Sequence, residues 1–109
     1  MYIYNITVNV EESILAEWLV WIEKHIVEVL DTGKFVSGKF TEVLVEEEMG
    51  GKTFSIQYTA NTREDLDNYY KFDADKLRSD GMKKFANKFV AFRTELKVIN
   101  EFYPSVISN

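Results

Sequence analysis

Residues 2–30 read YIYNITVNVEESILAEWLVWIEKHIVEVL, and the change of period inside this stretch decides the architecture. Up to Val10 the period is two: Tyr2, Tyr4, Ile6, Val8 and Val10 alternate with Ile3, Asn5, Thr7 and Asn9. Successive side chains of a strand point to opposite faces, so this is a strand with one apolar face. From Ile14 the period is helical. Ile14, Trp18, Trp21, His25 and Val29 form one row, and Leu15, Leu19, Ile22, Ile26 and Leu30 form the next. The two rows make a broad apolar stripe on a helix of about 19 residues, roughly 28 Å long. Glu17, Glu23, Lys24 and Glu28 fill the other side, and Gly33 is placed to close the helix in a left-handed conformation.

Working outward, Phe35 to Glu47 is extended again, with Val36, Phe40, Val43, Leu44 and Val45 as its apolar members. The segment Glu46-Glu47-Glu48-Met49-Gly50-Gly51-Lys52 reads as a hairpin loop, because paired glycines allow positive φ. Thr53 to Ala60 alternates Phe54, Ile56 and Tyr58 with Ser55, Gln57 and Thr59. Asn61, with Glu64 three residues on, resembles a capping box. Leu66, Tyr70, Ala74, Leu77, Gly81 and Phe85 then hold one helical phase, which predicts a continuous second helix through about Phe85; Gly81 also permits a stop near Ser79. A last strand, Phe89 to Ile99, alternates Val90, Phe92, Leu96 and Val98 with polar partners.

The order is β-α-β-β-α-β. Right-handed crossovers then give an α+β, ferredoxin-like layout: a four-stranded antiparallel sheet with two helices on one face. Residues 1–99 are expected to form one domain, and residues 100–109, with Phe102, Tyr103 and Pro104, a C-terminal tail.

Composition narrows the chemistry. The 109 residues include 13 Lys and Arg, 18 Asp and Glu, one His and no Cys, for a net charge of −5. Without cysteine there is no disulfide framework, thiolate metal site, iron–sulfur cluster or thiol nucleophile, and one histidine excludes a multi-histidine metal centre. No metal and no cofactor are expected. The start, Met1-Tyr2-Ile3-Tyr4-Asn5, has neither the basic nor the apolar region of a secretory signal, and no apolar run approaches the roughly 18 residues of a membrane span. A cytoplasmic location is expected, with no membrane partner.

The charge is uneven. Residues 76–97 hold seven positive and two negative groups, a net of +5 inside an acidic chain. Cations late in a helix complement its dipole, and no RNA-binding aromatic signature accompanies them, so nucleic acid is not an expected partner.

The polar faces of strands one, three and four collect Asn5, Thr7, Asn9, Ser55, Gln57, Thr59, Arg93, Glu95 and Lys97; the apolar faces are expected against the helices. Such a polar face is either open to solvent or closed against a second copy, which would give an eight-stranded barrel. A homodimer is the expectation.

Several segments carry a resemblance: Tyr4-Asn5-Ile6-Thr7-Val8-Asn9-Val10, Glu17-Trp18-Leu19, Thr32-Gly33-Lys34-Phe35, Val45-Glu46-Glu47-Glu48-Met49-Gly50-Gly51 and Lys88-Phe89-Val90-Ala91-Phe92-Arg93-Thr94-Glu95-Leu96. They resemble the bacterial family catalogued as domain of unknown function 4286, over about Met1 to Ile99. The resemblance implies a ferredoxin-like fold of the dimeric α/β-barrel kind and no assigned activity. Barrels of that kind include cofactor-free and haem-degrading monooxygenases, isomerases and ligand-sensing domains. The haem-degrading pattern of an Asn on strand one with Trp and His on helix two is met here only at Asn5.

Four residues form the candidate pocket between helices and sheet: Trp21, His25, Tyr70 and Arg93. His25 lies one turn after Trp21, so the two share a face; it is either a general base with an indole wall or a half-buried histidine near a helix end. Tyr70 either orients a ligand by its phenol or fills the core with its hydroxyl at the rim. Arg93 either clamps a carboxylate or phosphate, or forms an ion pair with Glu95 or across the dimer. The leading functional reading is a non-catalytic homodimeric module that binds a small apolar or anionic ligand; the alternative is a cofactor-independent enzyme of the monooxygenase or isomerase kind.

Overall fold

Tyr2–Val10 forms strand β1, followed by a 3-10 turn (Glu12–Ile14) and helix α1 (Leu15–Asp31). Then come β2 (Ser37–Val43), β3 (Lys52–Ala60), helices α2 (Arg63–Phe72) and α3 (Ala74–Phe85), and β4 (Phe89–Lys97). The computed structural model describes residues 1–48 and 50–105. Met49 of the expected hairpin loop and residues 106–109 of the expected tail lie outside the described residues. The sheet order is β2-β3-β1-β4 with every pairing antiparallel, which is the ferredoxin-like layout.

The alternation of β1 and β3 does what its period requires. Tyr4, Val8, Val10, Phe54, Ile56, Tyr58 and Ala60 are all buried on one sheet face, under Trp18, Ile22 and Val29 of α1 and Leu66, Leu77 and Phe85 of the later helices. Trp18 stacks on Phe54 at 5.1 Å between ring centres and tilts against Phe40 at 6.0 Å. Gly33 takes φ +78° behind α1, and Gly51 takes φ +76° against the carbonyl of Val10, where a side chain has neither the conformation nor the room. Among the described residues, no helix is long and apolar enough to cross a membrane.

Three expectations are corrected. The second helix is broken, though not at Gly81: Asp73 leaves the helical region at φ −123°, ψ −37°. Its N–H still donates to the Tyr69 carbonyl (2.9 Å), its carbonyl accepts from Leu77 (3.2 Å), and its carboxylate takes the Lys34 ammonium (3.1 Å). Asp73 itself therefore keeps both of its backbone hydrogen bonds. It also explains why Tyr69, not Tyr70, is the core tyrosine: buried Tyr69 and buried Ala74 are five positions apart, one more than a straight helix allows. The N-cap is Thr62, one residue later than Asn61, with its hydroxyl accepting from the Asp65 N–H at 3.1 Å.

The third correction is the facing of β4. The register places Val90 opposite Asn9, Phe92 opposite Thr7 and Leu96 opposite Ile3, whereas Arg93 and Glu95 lie opposite Ile6 and Tyr4. Opposed residues share a face, so the apolar set points away from the helices and Arg93, Glu95 and Lys97 lie on the helix side. The connection sets this register. Asn87 turns at φ 63°, Lys88 bonds back to Phe85 (3.0 Å) and accepts from Glu11 (3.0 Å), and Phe89 packs against the core. Farther along, the helix side of this edge strand meets polar groups of α2: Glu95 accepts from Arg63 (2.9 Å) and from the Tyr70 hydroxyl (2.6 Å). Val90, Phe92 and Leu96 are left 55%, 67% and 42% exposed on the outer sheet face.

Candidate functional site

Between α1, α3 and the sheet lies a partly open cavity of about 60 Å³. A single water takes up roughly 10–15 Å³ on the same measure, so the space holds several water molecules or a small organic group. Its floor is β1, β3 and β4 and its roof is α1 and α3, with Tyr69 contributed by α2. The helical stripe sends Trp21 and His25 to the roof, and the unexpected facing of β4 brings Arg93 to the floor.

The roof is set by close packing. The His25 ring stacks on the Trp21 indole at 4.5 Å and 21°, and Phe85 meets that indole edge-on at 5.5 Å. Gly81 of α3 lies directly against the indole, where a methyl group would come within 3.0 Å of Cη2. A glycine in core phase on a helix is thus explained by the ring across from it.

The polar side chains at the cavity are the guanidinium donors of Arg78 and Arg93, the His25 imidazole, and the phenols of Tyr4, Tyr58 and Tyr69, whose hydroxyls donate or accept. Arg78 of α3 donates from Nη2 to the Tyr4 hydroxyl at 2.8 Å, and its guanidinium sits 6.0 Å from the centre of the Tyr70 ring. Among the described residues, neither Arg78 nor Arg93 has a carboxylate within 4.0 Å. Among the described residues, two buried side-chain polar atoms have no hydrogen-bond partner, the Arg78 Nε and the Tyr58 hydroxyl, and both residues line the cavity. Burial first, then the neighbouring Tyr69 and Tyr4, push the Tyr58 phenol well above its ordinary range, so it stays protonated. None of the described lining residues is Asp or Glu. An acidic chain has lined this cavity with cationic and phenolic groups and, among the described residues, with no carboxylate.

His25 is half-buried, and desolvation lowers its pKa below the ordinary 6.5 against the opposing pull of Glu28 and Asp80. Above pH 6.5 the imidazole is neutral folded or unfolded; as pH falls, the unfolded chain takes up a proton that the folded one resists, and stability declines. Unfolding midpoints measured in urea from pH 8 down to about 5 should therefore fall for the parent protein and stay flatter for His25→Gln. Equal pH slopes in the two would remove His25 from this account. Glu95, held below 4.5 by Arg63 and then Tyr70, titrates in a separate, more acidic window.

Of the four residues expected together, Trp21, His25 and Arg93 meet at this cavity. Tyr70 does not line it: its ring packs edge-on to Tyr4 at 5.5 Å and its hydroxyl is taken by Glu95. Arg78, Tyr58 and Gly81 were absent from the expectation. Arg78 had a legible signal, since it follows core Leu77 and lies one turn from core Ala74, at the flank of the buried stripe.

The sequence profile of a domain of unknown function (DUF4286) matches residues 1–99. The chain belongs to this family. No curated protein matches the chain of this DUF4286 member. Solved structures match it through the fold. A dimeric ferredoxin-like protein from an uncultured marine organism superposes with a TM-score of 0.71 at 9% identity, over 93% of this chain and 97% of its own. A candidate antibiotic biosynthesis monooxygenase from Deinococcus radiodurans gives 0.63 at 10% identity, over 97% of this chain and 100% of its own. A de novo designed protein with a ferredoxin fold gives 0.51 at 15% identity, over 95% and 93%. A fold shared by a designed protein and a monooxygenase candidate carries no activity by itself, and the function of the DUF4286 chain has to be argued from its site.

Proposed function

We propose that this chain is a homodimeric, non-catalytic binding module that holds a small apolar or anionic molecule between its helices and its sheet. The observation that carries the reading is the cavity, mostly apolar in its lining, with Trp21, His25 and Arg93 at its walls and unpartnered donors inside. The dimer is supported by the outer sheet face. Its centre is already hydrogen-bonded laterally, from Asn5 to Thr7 (3.1 Å), Ser55 to Asn5 (2.6 Å) and Asn9 to Thr53 (3.1 Å), so these groups keep partners when a second copy covers them. Its β4 edge offers Val90, Phe92 and Leu96. Two such sheets face to face make an eight-stranded barrel, and the neighbour described as dimeric is a precedent for pairing in this fold.

Residues 1–99 are the module in this reading, with residues 100–109 as an appended tail. It works in the cytoplasm without a cofactor, and neither nucleic acid nor membrane is its partner. Part of the basic segment is already engaged within the chain, Lys84 with Glu17 (3.8 Å) and Lys88 with Glu11 (3.5 Å). Native mass spectrometry of freshly purified protein tests both halves: the expected spectrum shows twice the chain mass plus a retained small molecule. A monomer at micromolar concentration ends the dimer.

One observation favours a second reading, a cofactor-independent enzyme of the monooxygenase or isomerase kind. His25 is beside the cavity and uncharged near neutral pH, the state a general base requires. Incubating the protein with the molecule it retains, in air, and recovering that molecule unchanged would remove the enzyme.

A further inference from the structure

The unpartnered groups inside the cavity say more than that something binds there. Tyr58 is 1% exposed, yet its hydroxyl has no partner. Arg78 carries a full charge into the same space, satisfies one nitrogen on Tyr4 and leaves Nε without an acceptor. Leaving a buried donor unmade costs about 1–3 kcal/mol, and more when the group is charged. Two such donors at one cavity, in a chain with 18 Asp and Glu and none of them among the described residues lining this space, are what an absent acceptor would leave behind.

We infer that the cavity is a receptor for a small organic carboxylate. Its oxygens accept from the Arg78 guanidinium and the Tyr58 hydroxyl, and its apolar part lies against Trp21, Ile22 and Leu77. A guanidinium presents its N–H groups in a planar fork that matches a carboxylate, and a phenol that stays protonated adds a third donor. Arg93, on the exposed side of the floor, supplies positive potential at the entrance. The aliphatic and indole walls reject a bare inorganic anion, which would be desolvated with nothing to gain from them. Tyr4 acts through Arg78, by holding its Nη2, and is a positioning residue.

This assignment rests on the cavity being a ligand site, and the experiment separates the two. Acetate, butyrate and benzoate are titrated at pH 8 by calorimetry, each beside its neutral amide, into the parent, Arg78→Met, Arg78→Lys and Tyr58→Phe proteins. The expected result is binding of butyrate and benzoate over their amides by the parent, a loss of about tenfold to a hundredfold in Arg78→Met, and partial recovery in Arg78→Lys. Tyr58→Phe should weaken the carboxylates while leaving the unfolding midpoint equal or higher, because it deletes an unsatisfied hydroxyl; a purely structural hydroxyl would lower that midpoint instead. Amides bound as tightly as acids, with Arg78→Met indifferent, overturn the anion receptor and leave a site for neutral apolar molecules. No binding of any of the six compounds, with no molecule retained in native mass spectrometry, overturns both. A poorly folded Arg78→Met does not rescue the inference, since Tyr58→Phe and the acid–amide comparison decide it alone.

Discussion

Replacing Trp18 by alanine should lower the free energy of unfolding by about 3–5 kcal/mol, the range for truncating a large aromatic in a close-packed core. Domains of this size are stable by only about 5–15 kcal/mol, so the variant would sit near the edge of folding. The size follows from where the period change places the residue. Trp18 is 2% exposed, at the middle of the helix stripe, stacked on Phe54 and tilted on Phe40, which ties α1 to β3 and β2 together. The rings it touches, Phe54 and Phe40, are fixed on adjacent strands and can move only partway into the gap. Urea titration gives the comparison, with the midpoint falling at unchanged slope. Trp21→Ala is the control: that indole is half-buried at the cavity wall, so the same truncation should cost distinctly less. Equal losses for the two would contradict the distinction between a fully buried and a half-buried tryptophan, both of which border the cavity.

That distinction was only partly legible in the sequence. Trp18 and Trp21 lie in the same helical row, and periodicity alone assigns both to the core. Both border the cavity; what separates them is burial, since the Trp21 ring lies against Gly81 of α3 and stays half-buried, and a contact between helices has no signature in either helix taken singly. The ferredoxin-like order was legible because long alternating or helical runs decide element type, and the crossover rule then leaves few topologies.

The face of β4 was not legible, for an energetic reason. At a central strand an apolar face turned outward would forfeit most of the core, so pattern and burial must agree. At an edge strand only Phe89 and Ala91 pack inward, and a tight turn at Asn87 outweighs the apolar pattern beyond them. The same reversal carried Arg93 to the helix side, where it joins His25 and Trp21; placing it on the outer face by pattern had been incompatible with a pocket between helices and sheet. Tyr58 and Arg78 were hidden differently. A tyrosine on an apolar strand face and an arginine in a basic run each have ordinary explanations, and only an account of hydrogen-bond partners shows that two donors are left over.

The outward face of β4 leads to the second large effect. Phe92→Glu should turn the proposed dimer into a monomer without unfolding it. The side chain is 67% exposed in the single chain, so its replacement removes little from the fold. In a face-to-face pair the same residue enters the interface twice, once from each copy. At about 2 kcal/mol for each buried aromatic anchor, the pair supplies about 4 kcal/mol, or roughly a thousandfold in dissociation constant. Two glutamates brought into the same dry interface add their own desolvation cost in the same direction. Native mass spectrometry across a dilution series should show the parent as dimer and the variant as monomer, with matching circular dichroism. Val20→Glu is the counterpart, since Val20 is equally open to solvent but on the far side of α1, away from the sheet; it should leave the dimer intact. If Phe92→Glu remains dimeric with an unchanged dissociation constant, the outer sheet face is not where two copies meet, and the apolar edge of β4 needs a different occupant.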